Sequence, residues 1–196
     1  MKKMLFIFPN YYGFDEVIYQ GMIQFANCDI NRIDPEEDFI YENTYQKTLN
    51  FFSKFFFKKN LKQYYFKQQK IRREINENKY YDYIFINRPD LLSLKNLALL
   101  EKKSEIRIVL YWDSFSKIPQ TLTTIKFFNK LYSFDKDDCN KYNLNFITNF
   151  YFDIKNDSKI EYDFYYLATY DKRYKFLLRI IEYLENENFK IGRAHV

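Results

Sequence analysis

The stretch Tyr83-Ile84-Phe85-Ile86, running into Asn87-Arg88-Pro89-Asp90, decides the fold class. A short unbroken apolar run closed by a polar, proline-containing turn has the signature of a strand buried on both faces. Ser93 then stands where it can cap a helix whose apolar positions Leu94, Leu97 and Leu100 recur at helical spacing. A second strand-like run, Arg107 to Trp112, follows. Strand, loop, helix and strand make a βαβ unit, and such units build parallel sheets.

The alternation extends in both directions. Met4 to Phe8 is a continuous apolar run, and beyond the Pro9–Gly13 loop Val17, Ile18, Gly21, Met22 and Phe25 recur as on a helix. Asp29 to Ile33 reads as a strand. Downstream, the Asp113–Pro119 loop leads into an expected helix, and Leu131–Phe134 and Phe146–Phe150 complete the strand set. The pattern predicts an α/β fold, with one Rossmann-like parallel-sheet domain over residues 1–151. Phe152 to Glu161 is polar and aperiodic and reads as a linker. A fresh strand, Asp163–Ala168, then precedes a helix bearing Phe176, Leu177, Ile180, Ile181 and Leu184, so 162–190 reads as the first βα unit of a second Rossmann-like domain.

The last six residues, Ile191-Gly192-Arg193-Ala194-His195-Val196, differ from the rest in composition, and they can be back-translated as a common sequencing-adapter stem. They are expected to be foreign, with the natural frame lost after Lys190. On that expectation His195, the only histidine, is no catalytic base.

Composition bounds the function classes. A hydrophobic content of 47% over 196 residues suffices for a buried core. The excess of Phe, Tyr, Lys, Asn and Ile matches AT-rich codons, so aromatic richness alone is not a functional signal. Cys28 and Cys139 stand far apart and read as reduced thiols rather than a disulfide or zinc site. The N-terminal apolar run is too short for a signal peptide, and no uncharged stretch could span a bilayer. The expected location is cytoplasmic, at most peripheral on the inner face of the membrane.

One segment breaks the alternation. Thr44 to Arg73 holds nine basic residues and no acidic one, and since the whole chain carries +5, everything else sums to −4. Lys54, Lys58, Lys59 and Lys62 are interleaved with Phe51, Phe52, Phe55, Phe56, Phe57, Tyr64, Tyr65 and Phe66. Three readings stay open: a helix packing its aromatics on the sheet with its lysines solvated, a basic face lying on an anionic membrane, or a nucleic-acid contact. The net acidic remainder argues against nucleic acid as a partner.

Missing motifs exclude more. Neither a G-x-G-x-x-G fingerprint nor a P-loop is present, and with lone cysteines and no other histidine neither triad hydrolysis nor a metal site is indicated. The polar loops at the carboxyl ends of strands remain, where open α/β sheets bind ligands. They hold Asn10, Tyr12 and Gly13; Asn87, Arg88 and Asp90; and Trp112, Asp113 and Ser114. Each can bind a sugar hydroxyl or supply a carboxylate. Asp90 can equally cap a turn, and Asp113-Ser114 the following helix.

The ordered runs Leu110-Tyr111-Trp112-Asp113-Ser114, Leu131 to Asp138, Asn145 to Tyr151 and Tyr162 to Ala168 resemble bacterial glycosyltransferases of lipopolysaccharide and capsule biosynthesis, similar to the spore-maturation CgeB-like group. The resemblance implies a GT-B fold, two Rossmann-like domains across a cleft, the first binding acceptor and the second most of the nucleotide-sugar donor. It implies sugar transfer to a cell-surface glycan or lipid-linked acceptor, with no cofactor. Asp113 and Asp90 are then candidates for acceptor contact or base, and Tyr12 for sugar stacking. Thr169 and Arg173 fall at the donor diphosphate, although relatives often carry glycine where Ala168 or Thr169 stands. The chain itself, ending early in the donor domain, is expected not to catalyse. The alternative is a non-catalytic Rossmann-like binding or regulatory domain docking on membrane or protein through 44–73.

Overall fold

Six parallel strands carry the fold in the computed structural model, which describes residues 1–148, 161–168 and 174–195. Chain contacts divide it into two units, Met1–Asn149 and Phe150–Val196. The first is α/β and Rossmann-like, as its sequence predicts. Its strands are β1 (Lys2–Ile7), β2 (Cys28–Ile33), β3 (Tyr83–Asn87), β4 (Ile106–Tyr111), β5 (Lys130–Ser133) and β6 (Asn145–Phe146), in the order β2-β1-β3-β4-β5-β6. Between them lie α1 (Phe14–Ala26), α2 (Thr44–Phe57), a π-helical turn (Lys62–Phe66) running on into α3 (Lys67–Ile75), α4 (Leu94–Glu101), a 3-10 helix (Pro119–Phe127) and α5 (Lys136–Tyr142).

The strand order decides where the helices go. Only the β1–β2 connection runs toward one edge; every later one runs toward the other. With right-handed crossovers, α1 falls on one face of the sheet and the later helices on the opposite face. The core obeys this. Leu5, Ile7, Ile33, Ile84, Ile86 and Val109, from one face, form a single buried cluster with Ile71 and Ile75 of α3, Leu97 and Leu100 of α4, Phe127 and Cys139. The other face holds Met4, Phe6 and Phe8, which are buried, and Phe85, Ile108 and Leu110, which are only half-buried.

Local chemistry sets the element boundaries. Ser93 caps α4 as expected, its hydroxyl accepting from the Asn96 amide. Asn43 caps α2 by accepting from the Gln46 amide, while the Gln46 side chain accepts from the Glu42 amide. Asp135 caps α5, accepting from the amides of Asp137 and Asp138. Left-handed Asn27, Lys58 and Asn143 end α1, α2 and α5. Buried Asn96 donates to the backbone and side chain of Gln68 and accepts from Arg72, tying α4 to α3.

Three local expectations are corrected. The helix expected after the Asp113–Pro119 loop is 3-10, because the Thr121, Thr123 and Thr124 hydroxyls bond back to the carbonyls of Ile118, Gln120 and Thr121, fixing an i−3 spacing. The apolar positions of α1 do not seal against the sheet: Val17 and Phe25 are exposed, and the buried residue of α1 is Asp15. The aromatics of α2 do not pack on the sheet either. Phe51, Phe52, Phe55, Phe56 and Phe57 are all exposed, and the buried residues of α2 are Asn50 and Ser53.

The second unit pairs β7 (Phe164–Ala168) in parallel with β8 (Ile191–His195) across α6 (Tyr174–Asn186), which buries Leu177 and Ile181. The six-residue tail of unusual composition thus supplies β8, where Gly192 lies against the rings of Tyr162 and Tyr165 so closely that a Cβ would clash. Of the expected linker 152–161, all but Glu161 falls outside the described residues.

Ile84 is fully buried at the centre of the first unit. Ile84→Ala is expected to destabilise this unit by about 2–5 kcal/mol, read as a lower midpoint of urea denaturation with unchanged slope.

Candidate functional site

The site sits at the carboxyl ends of β1, β3 and β4, over the point where the connection out of β1 and the one into β3 pass to opposite faces. In open parallel sheets that divergence opens the ligand crevice. The loop after β1 brings Tyr11, the loop after β3 brings Arg88 and Asp90, and the loop after β4 brings Trp112 and Asp113.

Arg88 is the hub. It adopts a left-handed backbone (φ 56°), uncommon for a residue with a side chain. Its guanidinium forks onto Asp90, Nε donating to Oδ1 at 2.9 Å and Nη2 to Oδ2 at 2.8 Å. Nη1 donates to the Tyr11 hydroxyl at 2.9 Å. The Asp90 side chain is only 5% exposed, so the pair is largely desolvated. Its hydrogen bonds to Asp90 raise the pKa of Arg88 still further. Burial is the first cause that pushes the Tyr11 hydroxyl up to about 12, with Glu36 adding to the rise and Arg88 opposing it. Tyr11 is therefore a neutral phenol.

This geometry gives Asp90 a positioning role. Both of its oxygens are taken up by the Arg88 guanidinium. Asp113 is more open: Lys117 holds its Oδ1, and its other oxygen has no partner among the described residues. Ser114 pairs with Ser116 through their hydroxyls, and its carbonyl accepts from the amides of Lys117 and Ile118. Trp112 is wedged edge-on against Phe8 and Phe14, at 4.9 and 6.2 Å between ring centres. Asn87 is fully buried and clamps β3 to β4, Nδ2 donating to the Leu110 carbonyl at 2.7 Å, while its Oδ1 is buried without a partner among the described residues.

Two spaces meet at Asp90. Arg88, Pro89, Asp90, Trp112 and Asp113 line a cavity of about 10 Å3, room for a single water. On the other side, Asp90, Gln63, Tyr64, Gln68 and Ser93 line a hollow of about 310 Å3, within the size range of ligand sites. It adjoins a second hollow of about 420 Å3 that shares Tyr64, Gln68 and Ser93 and adds Tyr65, Gln69 and Arg72. The π turn presents Tyr64 here, 78% exposed; such turns recur at functional sites.

Of the residues singled out from sequence, Arg88, Asp90, Trp112 and Asp113 converge on one cavity. Asn10 and Tyr12 are exposed beside it, Tyr12 also left-handed, and Gly13 supplies the left-handed turn (φ 79°) that starts α1. That helix start already carries Asp15 and Glu16, both bound by Arg32, so it is ill suited to a diphosphate. Thr169 and Arg173 lie outside the described residues. Lys54 lies on α2, Lys58 and Lys59 just after it, and Lys62 at the start of the π turn, and none of the four lines these spaces. Sequence reasoning missed Tyr11, Gln63, Tyr64 and Gln68. Tyr11 sits in the polar loop after β1, but nothing in that loop's sequence ranks it above Tyr12. Among the described residues no group of three or more His, Cys, Asp or Glu side chains is placed to hold a metal ion.

Fold and crevice together define a Rossmann-like α/β domain with a polar, ion-paired site at its topological switch point. Searches against protein-family models, curated proteins and solved structures find no match.

Two outcomes check the cluster. Arg88→Ala and Asp90→Ala are each expected to cost about 3 kcal/mol by leaving a desolvated charge alone, and the double variant to cost clearly less than their sum in denaturant titrations. The raised acid pKa of Tyr11 means the folded state keeps a proton that the unfolded state gives up. Its contribution is full below the ordinary tyrosine value of 10 and lost as pH rises toward 12. The stability advantage of the wild type over Tyr11→Phe should shrink across that window.

Proposed function

We propose that this chain forms the acceptor side of a glycosyltransferase that moves a sugar from a nucleotide-sugar to a cell-surface glycan or lipid-linked acceptor. The observation that carries this reading is the wall made by Arg88 and Asp90. It separates a hollow lined by Tyr64, Gln63 and Gln68 from the cavity at Asp113. An exposed aromatic ring beside amide side chains suits the apolar face and hydroxyl rim of a sugar. A carboxylate with a free oxygen, Asp113, suits removal of the acceptor proton through the single water that the small cavity between Asp90 and Asp113 has room for.

In this reading Asp113 is the general base and Asp90 holds Arg88 in place. Arg88 and neutral Tyr11 offer hydrogen-bond donors to acceptor hydroxyls. The start of α1, occupied by Asp15 and Glu16, is ill suited to a diphosphate, and in this reading the donor is held as the resemblance implies, around Thr169 and Arg173. The order of segments resembling lipopolysaccharide and capsule transferases supports the same assignment. The chemistry calls on no cofactor, and the nucleotide-sugar is a substrate.

The test uses the full gene product with a panel of nucleotide-sugars, following both transfer and donor hydrolysis. Asp113→Asn is expected to lower turnover by about 10²–10⁴-fold with acceptor binding retained, and Asp90→Asn to weaken acceptor binding. A protein that neither binds nor turns over any nucleotide-sugar is instead a non-catalytic binding domain. Unchanged turnover in Asp113→Asn removes Asp113 from the mechanism.

A further inference from the structure

Helix α2 is built inside out. At about 100° per residue, Gln46, Asn50 and Ser53 fall on one stripe, and that stripe faces the protein. Asn50 donates to the Tyr41 hydroxyl at 2.6 Å and accepts from the Lys62 amide at 3.0 Å. The Ser53 hydroxyl donates to the Lys59 carbonyl at 3.0 Å, and the Ser53 carbonyl accepts from the amides of Lys58 and Lys59. These polar bonds fix the helix about its own axis. The opposite arc, spanning roughly 160°, carries Tyr45, Leu49, Phe51, Phe52, Phe55 and Phe56 to the outside, between 37% and 71% exposed.

The rings form one patch rather than scattered side chains. Phe51 stacks on Phe55 and Phe52 on Phe56, and Phe51–Phe52 and Phe55–Phe56 meet edge to face, with centres 5.0–6.4 Å apart. On and just after the same helix, exposed Lys47, Lys54, Lys58 and Lys59 take part in none of the ion pairs among the described residues, whereas half-buried Lys62 lies over the Tyr41 ring on the protein-facing side. Of the basic residues of α3, Lys70 pairs with Glu37 and Glu74, Arg73 pairs with Glu42, Arg72 donates to Asn96 and Lys67 is buried. The segment's exposed lysines without an ion pair thus lie on and just after the helix whose aromatics are exposed.

We propose that α2 docks the protein on an anionic lipid bilayer, its phenylalanines entering the headgroup–acyl boundary and its lysines meeting lipid phosphates. An aqueous-facing aromatic face rimmed by cations is the pattern of an interfacial helix. A second copy of this chain fits worse, since a two-fold contact through α2 sets the same lysines against each other. A nucleic acid would neutralise the lysines but leave the Phe face without a role. This inference does not rest on the glycosyl-transfer reading; it holds or fails by itself.

The test is co-sedimentation of the 196-residue chain with vesicles of phosphatidylcholine alone or containing phosphatidylglycerol. Binding is expected only to the anionic vesicles. Lys→Gln changes at Lys47, Lys54, Lys58 and Lys59 should weaken it roughly fivefold per lysine at low salt. Phe51→Ser with Phe55→Ser should abolish it, and both variants should keep the wild-type melting temperature because these side chains are exposed. A Phe55→Trp reporter should shift its emission to the blue when anionic vesicles are added. The proposal is overturned by absence of vesicle binding, by binding that survives the Phe changes, by a solution dimer that those changes dissociate, or by a Trp reporter that responds to DNA or RNA but not to lipid.

Discussion

The right-handedness of parallel crossovers governs most of this molecule. Once the chain turns from β1 first to the edge strand β2 and only then back across β1 to β3, one helix must lie on one face and the remainder on the other. The crowded face becomes the core around Ile84, Ile86 and Val109. The sparse face keeps half-buried residues such as Phe85, Ile108 and Leu110. The same reversal opens the gap between the loops after β1 and β3, and that gap is where Tyr11 and Arg88 meet. Core and crevice are two consequences of one topological rule.

Within the crevice, electrostatics sorts residues that look alike in sequence. Asp90 and Asp113 each follow a strand in a polar loop, yet one is sealed in a bidentate pair and the other keeps an oxygen open. A desolvated carboxylate between two guanidinium nitrogens organises its neighbours, whereas an open one can exchange a proton with a ligand. The left-handed Arg88 backbone is part of the same arrangement, because it brings the guanidinium back over Asp90 two residues on. Asp15 and Glu16, paired with Arg32, already occupy the start of α1, which leaves that helix end ill suited to a phosphate.

Helix α2 shows that apolar periodicity need not point inward. Its position is fixed by hydrogen bonds from Asn50 and Ser53 rather than by buried hydrocarbon, so the ring-bearing side is left in water. A surface cluster of four stacked rings beside unpaired lysines is costly to maintain in a monomer, and an apolar, anionic environment offsets that cost. Helix α1 shows a milder form of the same effect, with Asp15 buried against Arg32 while Val17 and Phe25 face outward.

Much of the fold was legible in the residues themselves. Alternating apolar runs placed β1, β3 and β4, Ser93 marked the start of α4, and strand-end loops marked Arg88, Asp90, Trp112 and Asp113, because buried parallel strands and helix caps leave short-range signatures. Other features were not legible, since they depend on contacts between residues far apart in the chain. The pairing of Arg88 with Tyr11, the separation of Asp90 from Asp113 and the hollow beside Tyr64 all arise only when loops from different strands converge. The back-bonding threonines that turn an expected helix into a 3-10 helix act locally, yet the apolar pattern is blind to them. Above all, the residues of 44–73 mark the segment as basic, aromatic and helical, but not which side of it faces water. That is settled by the fold, because burying Asn50 and Ser53 with their hydrogen-bond partners turns the phenylalanines outward.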